Sequence, residues 1–263
     1  MNPAVTETEA RAARQLADYD ARQPGTMFTD GVVLSVSEGY ELQAAVAELR
    51  QRRGERIIGY KVGCAAAKPR AQLGIDHCVA GRLYDSEKHD SGATLSRNEF
   101  ANLAIEGELA VELSREPDSD DFVDDHMPAC VARVIPVIEL HHFVMGGERP
   151  SAGELIANNA IHGGIVVGRG VDVADLKLVD LEPSLTIYSD DRLLQECNGS
   201  PLIRTISSSL PWLAGIVREQ GDRLSAGQIV LTGSIPSLIP IELNCHLRVD
   251  APPFGDVEAS IVD

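Results

Sequence analysis

"AIEGELAVEL", residues 104–113, alternates with a period of two. Ile105, Gly107, Leu109, Val111 and Leu113 point one way; Glu106, Glu108, Ala110 and Glu112 point the other. That pattern predicts a strand with one apolar and one acidic face. Same-face residues two apart lie about 6.6 Å from each other, so Glu106 and Glu108 repel. No Lys or Arg in the segment offsets them. Either water solvates this face or a divalent cation sits on it. Mg²⁺ takes one or two carboxylates, keeps waters and completes its shell with substrate oxygens. Glu112, further along, reads as solvated.

A second acidic strand follows. "RVIPVIELHH" (133–142) carries Glu139 in an apolar run. If the two strands are neighbours, three carboxylates converge. Alternation puts His141, not His142, on the side of Glu139. Upstream, "IIGYKVG" (57–63) interrupts an apolar strand with Lys61, flanked on its own face by Gly59 and Gly63, which would leave space beside it. A lysine in a dry site has a depressed pKa and can serve as an acid–base group or bind a substrate carboxylate. A lysine snorkelling from a strand end is the alternative. His141, His142 and His162 also fit surface or hydrogen-bonded core positions.

Around these strands the chain reads as α+β. Thr6 and Glu9 form a capping box for a helix reaching about Arg22, and a second helix spans roughly Ser37 to Arg53, ended by Gly54. Residues 1–54 read as an N-terminal helical lobe and 55–263 as a β-rich catalytic domain. Strand-like runs recur at 56–62, 104–113, 131–140, 161–167, 183–189, 228–232, 244–250 and 256–262. A helix starts at Ser151, capped through Glu154. Another runs from Pro201 to Gln220, where Pro211 should kink or break it. Hairpins are expected at Asp190–Asp191 and Pro252–Gly255. Few helices lie between the strands, so a doubly wound sheet fits poorly. No GxGxxG, Walker loop or G-x-S-x-G elbow is present, so nucleotide cofactors and hydrolase triads lack support.

The 263 residues suit one large domain, or one with a small extra lobe. A net charge of −17 disfavours nucleic acid and anionic membrane surfaces as partners. No apolar run approaches the ~20 residues of a membrane span, and the N-terminus lacks a secretory pattern. Five scattered cysteines without CxxC fit a reducing cytoplasm.

Taken in order, "IIGYKVG", "LGID....GRLYD" (73–85), "IEGELAVEL", "IPVIEL", "NNAIHGGIVVG" (158–168), "GSPL" (199–202) and "SAGQIVLTGS" (225–234) resemble the hydratase/decarboxylase branch of the fumarylacetoacetate hydrolase superfamily. The resemblance implies a β-roll or barrel preceded by a helical part. It implies Mg²⁺ or Mn²⁺ held by Glu106, Glu108 and Glu139, with Lys61 near the substrate as a catalytic group. It implies substrate contacts from Asn159, His162, Thr232 and Gly233. The implied substrate is a small 2-oxo acid or its dienol, chelated through the 1-carboxylate and 2-oxygen. The implied assembly is a homo-oligomer, a pentamer or decamer.

The chain departs from the family where reaction type is set. Val79 stands where hydratases carry an acid, Ile161 replaces a hydroxyl residue, Ser200 replaces an imidazole, and "LHHFVM" (140–145) replaces a small residue, Ser and Arg. Three readings follow: a metal-dependent hydro-lyase of the 2-oxopent-4-enoate hydratase type; a decarboxylase or C–C bond hydrolase on a related 2-oxo acid; or a degenerate subunit partnering a related hydratase or decarboxylase. An unrelated acidic domain is the bland alternative.

Overall fold

The computed structural model describes residues 6–122, 126–146, 150–176 and 181–263. Two helices come first. α1 (Glu7–Ala21) starts at the Thr6–Glu9 capping box, and α2 (Val36–Arg52) at a second box made by Ser35 and Glu38. Then follow β1 (Ile57–Gly63), α3 (Ala67–Leu73), β2 (Val79–Tyr84), the short β3 (Lys88–Asp90) and β4 (Ala93–Ser96), and the long β5 (Ala104–Leu113) and β6 (Val131–His141). α4 (Ala152–Ala157) leads into β7 (His162–Val167) and β8 (Val171–Asp172). β9 (Ser184–Ser189), β10 (Arg192–Asn198), α5 (Pro201–Glu219), β11 (Ile229–Leu231), β12 (Ile239–Pro240), β13 (Cys245–Asp250) and β14 (Asp256–Val262) complete the chain.

One curled sheet runs β2-β1-β11-β5-β6-β7-β3, and a second runs β10-β9-β13-β14-β4. The architecture is thus α+β, a β-roll with an N-terminal helical part. Both expected hairpins form. Asp190 and Asp191 have φ of 47° and 63°, the pair of left-handed residues that a two-residue turn matching strand twist requires.

β5 lies between the two layers. Its apolar side, with Ile105, Leu109 and Val111, joins Leu185, Ile187 and Val249 of the second sheet in the main core. Gly107 lets the sheets approach: a Cβ there would stand 2.8 Å from Ile187 Cδ1. The glycine between Glu106 and Glu108 is therefore a packing residue. The acidic side of β5 turns toward the concave face, where Ala110, Ile135, Val137, Ile165 and Leu231 form a separate apolar cluster.

The helices are latched on by buried polar contacts. Gln43 of α2 donates to Ala80 O of β2 at 2.9 Å and to Ile156 O of α4 at 2.7 Å. Of the kink or break expected at Pro211, the break does not occur: α5 runs through it as one helix. Leu202, Ile206, Leu210, Leu213 and Val217 form a buried stripe along it, and that packing outweighs the ~3 kcal/mol a helical proline costs. No helix among the described residues is long and apolar enough to cross a membrane.

Candidate active site

The register of β5 and β6 brings the carboxylates together. Glu106 pairs directly with Glu139, and Glu108 with Val137. Directly opposed like charges destabilise a sheet unless something compensates. β1 supplies part of that compensation: Lys61 Nζ is 2.5 Å from Glu139 Oε1. His162 Nδ1 donates to the same oxygen at 2.8 Å. Lys61 and Glu139 are both buried, at 2% and 0% exposure.

His141, two residues beyond Glu139 on the same face, completes the cluster. Its Nε2 lies 3.2 Å from Glu106 Oε2 and 3.9 Å from Glu139 Oε2, and neither ring nitrogen makes a hydrogen bond. One ligand atom each from Glu106, Glu139 and His141 falls within a 4.8 Å group. Glu108 sits beside them, with Oε2 accepting the Gly233 N–H at 3.0 Å.

The electrostatics follow from burial and proximity. Burial alone would lower the Lys61 pKa, but Glu139, Glu106 and Glu108 outweigh it and raise it. Lys61 is therefore a firmly held ammonium, not the depressed-pKa base expected of a lysine in a dry site. Burial would raise Glu139, but Lys61, His141 and His162 hold it below the usual carboxylate range. For Glu108 the relief from Lys61 and the Gly233 N–H is outweighed. Burial, then Glu139 and Glu106, push it well above its ordinary value.

Fully ionised, the three carboxylates exceed Lys61 by two charges, which one divalent cation cancels. Glu139 Oε2 and both His141 nitrogens are buried without a hydrogen-bond partner, and such atoms ordinarily have one. These residues fit a divalent cation.

The space beside Lys61 has a different origin from the one expected. A Cβ at Gly59 would stand 1.8 Å from Ile229 O, so that glycine serves the close approach of β1 to β11. Room for the lysine comes from its cross-strand partner Gly81, where a Cβ would lie 2.9 Å from Lys61 Cγ. Below β2, Asn159, Ala160 and Ile161 all have positive φ, at 53°, 50° and 57°. Non-glycine residues pay about 1–2 kcal/mol each in that region. The turn presents Ala160 O to Lys61 Nζ at 3.2 Å. Asn159 holds it in place by accepting from Arg82 N at 2.7 Å and donating to Arg82 O at 2.8 Å.

A cavity of about 680 Å³ opens from this cluster. Lys61, Glu106 and His141 stand in its wall, with Val62, Leu73, Val79 and Leu155 among its apolar lining. A mostly apolar pocket with a few convergent polar groups is the usual form of a small-molecule site. Asn159, His162, Thr232 and Gly233 are not in that lining. Thr232 is buried and donates to Leu109 O at 2.8 Å; His162 and Gly233 bond to Glu139 and Glu108. Sequence reading missed the wall made by α3, which contributes Lys68 and Leu73. Its signal was present: Gly74 stops the helix in the left-handed conformation, φ 68°.

No protein-family model matches the chain. It is similar in sequence to a 2-keto-4-pentenoate hydratase of Burkholderia vietnamiensis, 24% identical over 225 residues and 85% of each chain. A 4-oxalocrotonate decarboxylase of Pseudomonas sp. is 21% identical over 253 residues, 95% of each. In fold it is similar to the 4-oxalocrotonate decarboxylase from Pseudomonas putida G7, solved with magnesium and adipate: TM-score 0.85, 19% identity, 97% of both chains. The fumarylpyruvate hydrolase from Pseudomonas aeruginosa, solved with Mn²⁺ and pyruvate, superposes at TM-score 0.55 and 13% identity, over 77% of this chain and 88% of that one. Along nearly its whole length, the chain is similar in sequence to 2-keto-4-pentenoate hydratases and to a 4-oxalocrotonate decarboxylase, and it shares the fold of the latter enzyme.

Proposed function

We propose that this chain is a divalent-metal-dependent lyase acting on a 2-oxo acid or its 2-hydroxydienoate form, with a 2-oxopent-4-enoate hydratase type of reaction as the first reading. The observation that carries it is the buried excess of carboxylate over ammonium at the end of an apolar cavity. Glu106 and Glu139 would hold Mg²⁺ or Mn²⁺, with Glu108 beside them. When bound, such an ion supplies a Lewis acid that stabilises negative charge developing on the substrate's 2-oxygen. Lys61 holds a proton at Nζ against the cavity, where a substrate carboxylate or a carbon awaiting protonation can meet it. Glu139 keeps that lysine charged, and His162 orients the Glu139 carboxylate. Val62, Val79 and Leu155 exclude water, which strengthens every charge interaction inside.

Val79 favours a second reading. It is fully buried and lines the cavity, so no carboxylate at that position activates water. Decarboxylation of a 4-oxalocrotonate-like substrate needs no such base. One experiment separates the two. The Mn²⁺- and Mg²⁺-loaded protein is given 2-hydroxypenta-2,4-dienoate, with loss of diene absorbance followed, and separately 4-oxalocrotonate, with CO₂ release followed. Hydration alone supports the first reading and CO₂ release the second. Inactivity combined with no metal uptake overturns both. Inactivity alone, with stimulation of a related hydratase or decarboxylase on mixing, makes the chain a partner subunit.

We also propose that the protein is a cytoplasmic homo-oligomer. Its five cysteines are unpaired, and Val33 and Leu243 are apolar side chains at 82% and 77% exposure. Light scattering on the purified protein tests the assembly.

A further inference from the structure

We propose that His141 is a direct ligand of the cation, together with Glu106 and Glu139, and that this nitrogen makes the site select a transition ion such as Mn²⁺ or Co²⁺ over Mg²⁺. The inference rests on the metal reading above and goes beyond it in naming the ligand that sets metal choice.

The geometry carries it. His141 is 2% exposed, so its ring has little water to bond. Its Nε2 faces one oxygen of each of two carboxylates, at 3.2 Å and 3.9 Å. An octahedral ion with bonds of about 2.1 Å separates its ligands by about 3 Å at right angles and about 4.2 Å when opposite. Both observed spacings lie in that span. The free atoms are also the right ones. Glu139 Oε1 is taken by Lys61 and His162, whereas Oε2, the oxygen on the His141 side, has no partner. Glu108, by contrast, already accepts a backbone N–H through Oε2. A neutral imidazole thus replaces part of an all-oxygen shell.

The consequence is chemical. Mg²⁺ is a hard ion that prefers oxygen and holds its waters tightly. Imidazole favours transition ions, with affinity rising from Mn²⁺ to Co²⁺. A mixed oxygen–nitrogen set shifts the balance toward them.

The test uses the purified full chain and three chloride salts, of Mg²⁺, Mn²⁺ and Co²⁺. Calorimetric titration gives the affinity of each for the wild type, His141→Gln and Glu106→Ala. Pulsed electron paramagnetic resonance on the Mn²⁺-loaded wild type reads ¹⁴N coupling from a bound imidazole and requires no variant to fold. The expected result is ¹⁴N coupling, with Co²⁺ and Mn²⁺ preferred over Mg²⁺. His141→Gln, which offers an oxygen instead, should narrow that preference by roughly 10- to 100-fold, the scale on which metal sites respond to loss of a supporting group. Tight Mn²⁺ binding, lost in Glu106→Ala but without ¹⁴N coupling, would overturn the role of His141 and leave the lyase reading standing. No binding of any ion by the wild type would overturn both.

Discussion

β5 carries glutamates at both ends of one face, and their fates differ. Glu112 pairs across the sheet with Arg133, whose guanidinium lies 3.3 Å from it. About a third of each side chain meets water. Six residues away, Glu106 pairs across the same two strands with another carboxylate, Glu139, in a largely dry setting. One end is an ordinary ion pair on a sheet surface. The other accumulates negative charge that Lys61 only partly offsets. Identical side chains in one alternating pattern thus serve stability at one end and leave a demand for a cation at the other.

The sharpest way to break this contrast is Lys61→Met. It leaves Glu139 buried without its ammonium, and losing one partner of a buried pair costs about 3–5 kcal/mol. A large fall in the denaturation midpoint and loss of turnover are expected; an unchanged midpoint would mean that His141 and His162 sustain Glu139 without the lysine. Next comes Glu106→Ala. It should abolish Mn²⁺ binding and, with it, the stabilisation that saturating metal confers, about 2.7 kcal/mol at a hundred times Kd. Thermal melts with and without Mn²⁺ read this directly, and the metal-free variant should melt no lower than the wild type, because a like-charge contact is gone.

Glu108→Gln sharpens the comparison through pH. Glu108 titrates well above 4.5 in the folded protein and near 4.5 unfolded. Between those values the folded state binds the extra proton, so stability of the metal-free wild type falls as pH rises above 4.5. The variant lacks that contribution, and its stability relative to wild type should grow across the same window, as urea melts at several pH values would show. The smallest effect is expected at the wet end. Glu112→Gln should cost under about 1 kcal/mol and leave turnover unchanged; a loss of activity there would remove the distinction between the two ends.

Much of this was legible in the sequence because the signals are local. The period of two in 104–113 and 133–140 fixed which side chains share a face, and alternation put His141 with Glu139. Thr6, Ser151 and Gly54 marked helix ends, and Asp190–Asp191 a hairpin, since caps and turns depend on a few adjacent residues. Less was legible around Lys61. Gly59 looked like space for the lysine and proved to be a close strand contact, while Gly81, across the sheet, makes the room. Pro211 looked like a kink or a break, and a buried stripe of Leu202, Ile206, Leu210, Leu213 and Val217 keeps the helix continuous through it.

The sequence by itself determined the strands, their faces and the residue types that could hold a cation. Only the tertiary structure decided that Glu106 and Glu139 face each other, that His162 orients one of them, and that Lys61 stays charged. Alternation and capping arise between residues a few positions apart, whereas register and pKa arise from groups brought together across space. The charge state of Lys61 depends on carboxylates far along the chain, and no local pattern encodes their distance.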